Sequence, residues 1–357
     1  MNPSWQNIHK SFTLNGVSYS RVTLKEVAYS LVKEGLDYEK TIGDFLLDWC
    51  SHKETLHVHT SGSTGKPKRI TLQKSKMVNS ALATGQYFNL KSGESALLCL
   101  PITSIAGKMM LVRAMVLGLR LDYVAPSSRP LDKTTKKYDF CAMVPLQAEK
   151  SIQQLHRIKH LILGGAPISY RLEERLKELP NSIYATYGMT ETITHIAVRA
   201  ISPKNDISFE VLPSIEVSQD KRNCLVIHAP RISDSPVITN DLVEIKGKER
   251  FSWLGRYDNV INSGGVKLIP EQIEAKLSSL LEHRFFVTGI PDETLGQKLI
   301  LILEGEGVDE KTIMESIKEI SNLNKFEVPK TIYSIGRFIE TKTGKVQRLE
   351  TLNAIKR

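Results

Sequence analysis

Residues 59–70 read HTSGSTGKPKRI, and the residue types in this stretch are those that hold anions. Gly62 and Gly65 let backbone N–H groups approach a charged oxygen without a Cβ in the way. Ser61, Ser63 and Thr64 add hydroxyl donors, and Lys66 and Lys68 add positive charge. A loop of this make-up suits phosphates. It is not a Walker A loop, because Pro67 stands where Ser or Thr must reach magnesium and the required earlier glycine is missing. The competing account is a flexible surface loop.

Such a loop needs elements to hold it. It follows the strand-like LHVH, and short apolar runs continue at 96–102, 139–145, 160–165 and 225–230. Between them lie amphipathic, helix-like stretches at 151–159 and 168–179, the second with Ser169 placed to cap it. This alternation predicts an α/β fold with a largely parallel sheet, sheets being flanked by helices. Turn-formers and charges in GRYDNVINSGG (255–265) mark a boundary. Beyond it, Pro270 suits the first turn of a helix, two strand-like runs and a helix around 309–322 follow, and a polar tail ends the chain. The predicted organisation is a large domain over 1–256 and a small α+β domain over 257–357.

Composition narrows the class. With 41% hydrophobic and 24% charged residues the chain reads as an ordinary globular protein. No run approaches the roughly 18 apolar residues of a membrane span, and MNPSWQNIHKSF lacks a signal-peptide pattern, so a cytoplasmic location is expected. The formal charge of +9 suits attraction of anionic ligands. The basic residues are spread out, with no dense block interleaved with aromatics, which argues against a nucleic-acid partner. Cys50, Cys99, Cys141 and Cys224 are far apart in sequence and read as small buried hydrophobes.

Five further segments recur in a telling order: LILGGAPIS (161–169), YGMTET (187–192), TNDLVEIKG (239–247), GRYDNVINSGGVKLIPEQIE (255–274) and TKTGKVQR (341–348). Together with the 59–70 loop they resemble the motifs of the adenylate-forming superfamily, which contains acyl-CoA synthetases, luciferases and peptide-synthetase adenylation domains. The resemblance implies ATP, Mg2+ and coenzyme A as ligands, and a small C-terminal domain that is mobile. It implies that the loop from Thr60 to Lys68 holds the β- and γ-phosphates and that Thr190 contacts the α-phosphate. Glu191 becomes the magnesium ligand, a hard oxygen donor for a hard cation. Tyr187, followed by Gly188, stacks on adenine opposite Gly164, Gly165 and Ala166. Asp241 and Arg256 bind the ribose. Lys345 is the catalytic lysine, Asp258 the hinge, and Gly264 and Gly265 line the coenzyme A tunnel.

Among acyl-CoA synthetases the chain most resembles the o-succinylbenzoate–CoA ligases of menaquinone biosynthesis. Only 59 residues precede the phosphate loop, so the expected fold is shortened at its N-terminus. In LPITSIAGKMMLVRAMVLG (100–118) the resemblance makes Arg113 the anchor for a second substrate carboxylate, with Ser104 and Thr194 beside the acid and Val144, Gln147 and His195 as further neighbours. The competing account of Arg113 is a helix-surface arginine. Arg69 and Asn240 replace glycines usual in the family, and Thr103 and Ser104 stand where many relatives carry an aromatic-His pair. The alternatives are another aryl- or acyl-CoA ligase, or a non-catalytic adenylate or nucleotide sensor on the same fold. A homodimer is the assembly common among relatives.

Overall fold

A computed structural model of the chain describes residues 3–59, 69–341 and 346–355. Alternation in the central strands sends side chains to two cores. Ala96 and Leu98 enter one core while Leu97 and Cys99 enter the other. Phe140 and Ala142 oppose Cys141 and Met143 in the same way, and Ile162 opposes Leu161 and Leu163. Strands buried on both faces suit a parallel arrangement. Arg120–Tyr123, Ser95–Leu98, Tyr138–Met143, Ile158–Leu163 and Ser182–Gly188 lie side by side in that order, every neighbour parallel.

Helices Lys74–Tyr87 and Ile105–Leu117 cover the first face. On the second, helix Tyr170–Lys177 buries Leu172 and Leu176, each contributing about 2 kcal/mol. Ser169 caps that helix as its position predicts, its Oγ accepting from Leu172 N–H at 3.2 Å. The helix-like 151–159 is different: Ile152–Arg157 forms a 3-10 turn, and Ile158 already begins a strand.

Beyond Ser182–Gly188 the strand direction reverses. His195–Ser202, Phe209–Val211, Arg250–Arg256, Val237–Ile245, Cys224–His228 and Glu216–Gln219 continue the same sheet, all antiparallel. The expected largely parallel sheet is therefore corrected: only its central part is parallel. Hydrophobic patterning reports which faces are buried and carries no strand direction.

The chain leaves this sheet through the turn Tyr257–Asn259. A smaller sheet follows, built from Ile261–Ser263, Val266–Leu268, Phe285–Asp292, Gly296–Glu304 and Thr331–Ile335. Gly264 and Gly265 join the first two strands with φ of 57° and 80°, a two-residue hairpin turn that needs left-handed backbone at both positions. The tail is not merely polar: Phe338 and Leu352 pack with Phe286, Ile300 and Ile302 on one face of this sheet. All four cysteines are buried and unpaired in disulfides. Among the described residues no helix is long and apolar enough to cross a membrane.

Candidate active site

In open α/β sheets ligands collect outside the carboxyl ends of the strands, where the topology switches. Here the parallel run of strands ends between Ser182–Gly188 and His195–Ser202, and four of the motif segments converge there. Strand Ile158–Leu163 runs into Gly164 and Gly165. A Cβ on Gly164 would lie 2.3 Å from Thr186 Oγ1, and Gly165 holds a φ of 82°, so close approach and left-handed backbone each require a glycine. Because that strand pairs in parallel with Ser182–Gly188, Gly164–Ala166 emerges beside Tyr187.

Tyr187 donates its hydroxyl to Asp241 Oδ2 at 2.6 Å, and its ring stands edge-on to Phe251 at 5.2 Å. Burial first, and then the Asp241 carboxylate, push its phenol far above the usual range. Asp241 also accepts from Trp253 Nε1 at 3.1 Å and lies 3.6 Å from Arg256 Nη1. Its strand partner is Arg256, and a bulge between Leu242 and Val243 lets Trp253 turn toward the same carboxylate. Trp253 carries no signal in the motif, since strand register is not written there. Asn240, in place of the usual glycine, donates to both oxygens of Asp258 at 3.3 and 3.2 Å and accepts from Arg222 Nη1 at 2.9 Å. Arg256 Nη2 reaches Asp258 at 3.2 Å.

The TET motif forms the 3-10 turn Thr190–Thr192. Thr192 is buried, its hydroxyl taking the Met189 N–H at 3.1 Å and lying within reach of Met189 O and Thr194 O. The backbone then makes a γ-turn: Thr194 N–H donates to Thr192 O at 2.7 Å and Ile193 sits at φ 67°. For a β-branched residue this is strained, and the packing around buried Ile193 holds it. As a result Glu191 is exposed while Thr194 and His195 turn inward.

They turn toward Arg113. This side chain is 1% exposed, which excludes the helix-surface account. Its helix, Ile105–Leu117, is buried all round from Met109 to Val116, and the missing polar face is the sequence signal that foretells a buried arginine. Arg113 donates from Nε to Thr84 Oγ1 at 3.3 Å, and from Nη2 to Thr194 Oγ1 at 3.4 Å and His195 Nδ1 at 3.3 Å. Nη1 meets the Met110 sulfur at 3.8 Å. No carboxylate of a described residue forms an ion pair with it. Burial draws its guanidinium down to about 9, still protonated at neutral pH. Ser104 has another task, capping the helix: its Oγ accepts from Gly107 N–H at 3.1 Å and donates to Pro101 O at 2.7 Å. Gln147 is held by the Cys99 and Ser127 carbonyls.

Residues 51–217 match the family described as AMP-binding enzyme. The crystal structure of an acyl-CoA synthetase (AMP-forming)/AMP-acid ligase II-like protein from Dyadobacter fermentans is 37% identical, with a TM-score of 0.62, over 93% of this chain and 98% of that one. The chain belongs to the AMP-binding, adenylate-forming enzymes. It is also 24% identical over 331 residues to the 2-succinylbenzoate–CoA ligase of Bacillus cytotoxicus, covering 82% of this chain and 68% of that protein. The o-succinylbenzoate coenzyme A synthetase of Bacillus subtilis, solved with ATP and magnesium ion, shares the fold with a TM-score of 0.73 at 18% identity, over 93% of this chain and 82% of that one.

For an adenylate-forming enzyme the arrangement makes chemical sense. Gly164–Ala166 and Tyr187 lie side by side at the strand ends, and Asp241 is a carboxylate of the kind that accepts from sugar hydroxyls. Glu191, exposed and in no ion pair with a described residue, offers the hard oxygen donor that a magnesium ion would take. Thr60, Ser61, Gly62, Ser63, Thr64, Gly65, Lys66, Lys68 and Lys345 lie outside the described residues. Their flanks are described. Strands Thr55–His59 and Arg69–Gln73 pair with His59 opposite Arg69, so Arg69 starts a strand. An antiparallel bridge joins Glu340 to Val346.

Proposed function

We propose that the protein is an AMP-forming acid–CoA ligase for an acid with a second carboxylate, and that this acid is 2-succinylbenzoate. Arg113 carries the proposal: a buried guanidinium without a carboxylate partner among the described residues, bonded to Thr194, which follows Glu191 by three residues. An uncompensated buried cation costs several kcal/mol, and a ligand carboxylate would offset that cost. Curated relatives named for 2-succinylbenzoate support the choice of diacid.

In the first step the reacting carboxylate attacks the α-phosphorus of ATP, the bond to pyrophosphate breaks, and an acyl-adenylate forms. The protein's task is to align two anions and neutralise their charge. The Thr60–Lys68 loop holds the outer phosphates, Thr190 the α-phosphate, Tyr187 the base and Asp241 with Arg256 the ribose. Glu191 would hold magnesium, which would supply neutralising charge to the phosphates, and Lys345 bridges the carboxylate and α-phosphate. In the second step the coenzyme A thiol attacks the acyl carbon and AMP departs. The 257–357 domain would swing about Asp258 between the steps, bringing Gly264 and Gly265 to the thiol's path.

Purified protein with ATP, magnesium and coenzyme A should release AMP with 2-succinylbenzoate and far less with benzoate or a medium-chain fatty acid. Turnover confined to a monoacid would discard the diacid and keep the ligase. No AMP from any of them would favour a nucleotide sensor.

A further inference from the structure

His195 is buried, belongs to none of the motif positions, and has a fixed protonation pattern. Arginine only donates, so His195 Nδ1, 3.3 Å from Arg113 Nη2, must be the acceptor. The ring proton then sits on Nε2 and points to Thr84 Oγ1 at 3.4 Å. Thr84 sends its own proton to Ser80 O at 3.0 Å and receives Arg113 Nε at 3.3 Å. Thr194 Oγ1 also lies 3.5 Å from Nδ1, and with Arg113 Nη2 donating to Nδ1 the circuit closes around a neutral imidazole. Burial, and after it the Arg113 charge, hold the ring well below its usual range.

We propose that His195 is a positioning residue: as a neutral acceptor braced by Thr84, it fixes the Nε–Nη2 edge of Arg113 and leaves Nη1 free to take the second carboxylate of the acid. The held edge has three oxygen or nitrogen acceptors, from Thr84, Thr194 and His195, whereas among the described residues Nη1 has only a sulfur at 3.8 Å. A carboxylate arriving at Nη1 replaces that weak contact with a charge-assisted bond. A protonated His195 would turn Nδ1 into a donor facing a donor, beside a second cation in a dry site.

This rests on the reading of Arg113 as the anchor, so the test compares both residues by AMP release from the full chain, with 2-succinylbenzoate and benzoate as probes. His195→Ala should raise KM for 2-succinylbenzoate about tenfold and lower kcat less than about threefold, as expected for loss of a positioning hydrogen bond. KM for benzoate should move far less. His195→Gln, neutral and still able to accept and donate, should recover most of the loss. If the alanine variant does not fold, the isosteric Thr84→Val removes the brace and should shift the same KM in the same direction. An equal KM rise for both acids, or none for the diacid in any of these variants, overturns the proposal. If Arg113→Met lowers the diacid preference while the His195 and Thr84 variants do not, the anchor stands and the positioning role falls. If Arg113→Met leaves that preference intact, or 2-succinylbenzoate gives no turnover, both fall.

Discussion

Two buried charges, Asp241 and Arg113, are tied to the two strands that meet where the sheet changes direction, Asp241 through Tyr187 and Arg113 through His195, and the protein treats them differently. Asp241 is surrounded by donors from Tyr187 and Trp253, with Arg256 beside it. Arg113 has neutral acceptors on one edge and no counterion among the described residues. The carboxylate's circuit is complete within the protein, and its ligand has only to share it. The guanidinium's circuit is open and needs an anion to close. Selectivity for the acid should therefore reside at Arg113, and integrity of the nucleotide side at Asp241.

Lys345 would act between these regions, where acid meets α-phosphate, and should show the largest effect. Lys345→Ala is expected to slow adenylation about 100- to 1000-fold, or about 3–4 kcal/mol, by analogy with loss of one preorganised donor. Thioester formation from preformed acyl-adenylate should suffer far less. Equal loss in both half-reactions, measured separately, would deny the lysine its place at the junction. Next comes Asp241→Ala, which strands the Tyr187 hydroxyl and the Trp253 N–H. It should cost about 3 kcal/mol in denaturant unfolding and raise KM for ATP.

Arg113→Met should have the opposite sign on stability. Replacing an unpaired buried cation with an apolar side chain is expected to stabilise the free protein by about 1–2 kcal/mol. The preference for 2-succinylbenzoate over benzoate should at the same time fall about tenfold or more. A stability loss like that of Asp241→Ala would mean that the Arg113 circuit is already closed without ligand, and the contrast between the two regions would dissolve.

Much of the local structure at the proposed nucleotide side is legible because its residues are contiguous: a glycine pair after a strand, an aromatic before a Thr-Glu pair, a capped helix at Ser169. These motifs specify local backbone, and local backbone is what sequence reports best. The acid side was legible only as single residues. Thr84, Thr194 and His195 come from a helix and a strand far apart in the chain, and only the fold brings them to Arg113. The antiparallel half of the sheet was lost for a related reason, since pairing direction is set between segments. The γ-turn at Ile193 was invisible because nothing in Thr-Ile-Thr favours it; packing imposes it. The helix of 105–117 could have been read further, since its lack of a polar face already implied that Arg113 is buried.

The smallest effect sharpens the comparison through pH. His195 stays neutral in the folded protein because burial and Arg113 disfavour its charge, whereas in the unfolded chain it titrates near 6.5. Below that pH the unfolded state takes up a proton the folded state refuses, so stability is complete above about 6.5 and falls as the pH drops. The slope should be about 1.4 kcal/mol per pH unit for this one proton, down to the depressed folded value. His160 is pushed in the same direction by burial and by Lys159, so the wild-type curve alone does not isolate the effect. The difference between wild type and His195→Gln does, because the amide has nothing to titrate. A wild-type curve steeper than the variant's between pH 6.5 and 5 would show that Arg113 faces a lone pair on His195. Parallel curves would mean that the imidazole takes its proton in place, and that the acid-side edge of Arg113 is free to move.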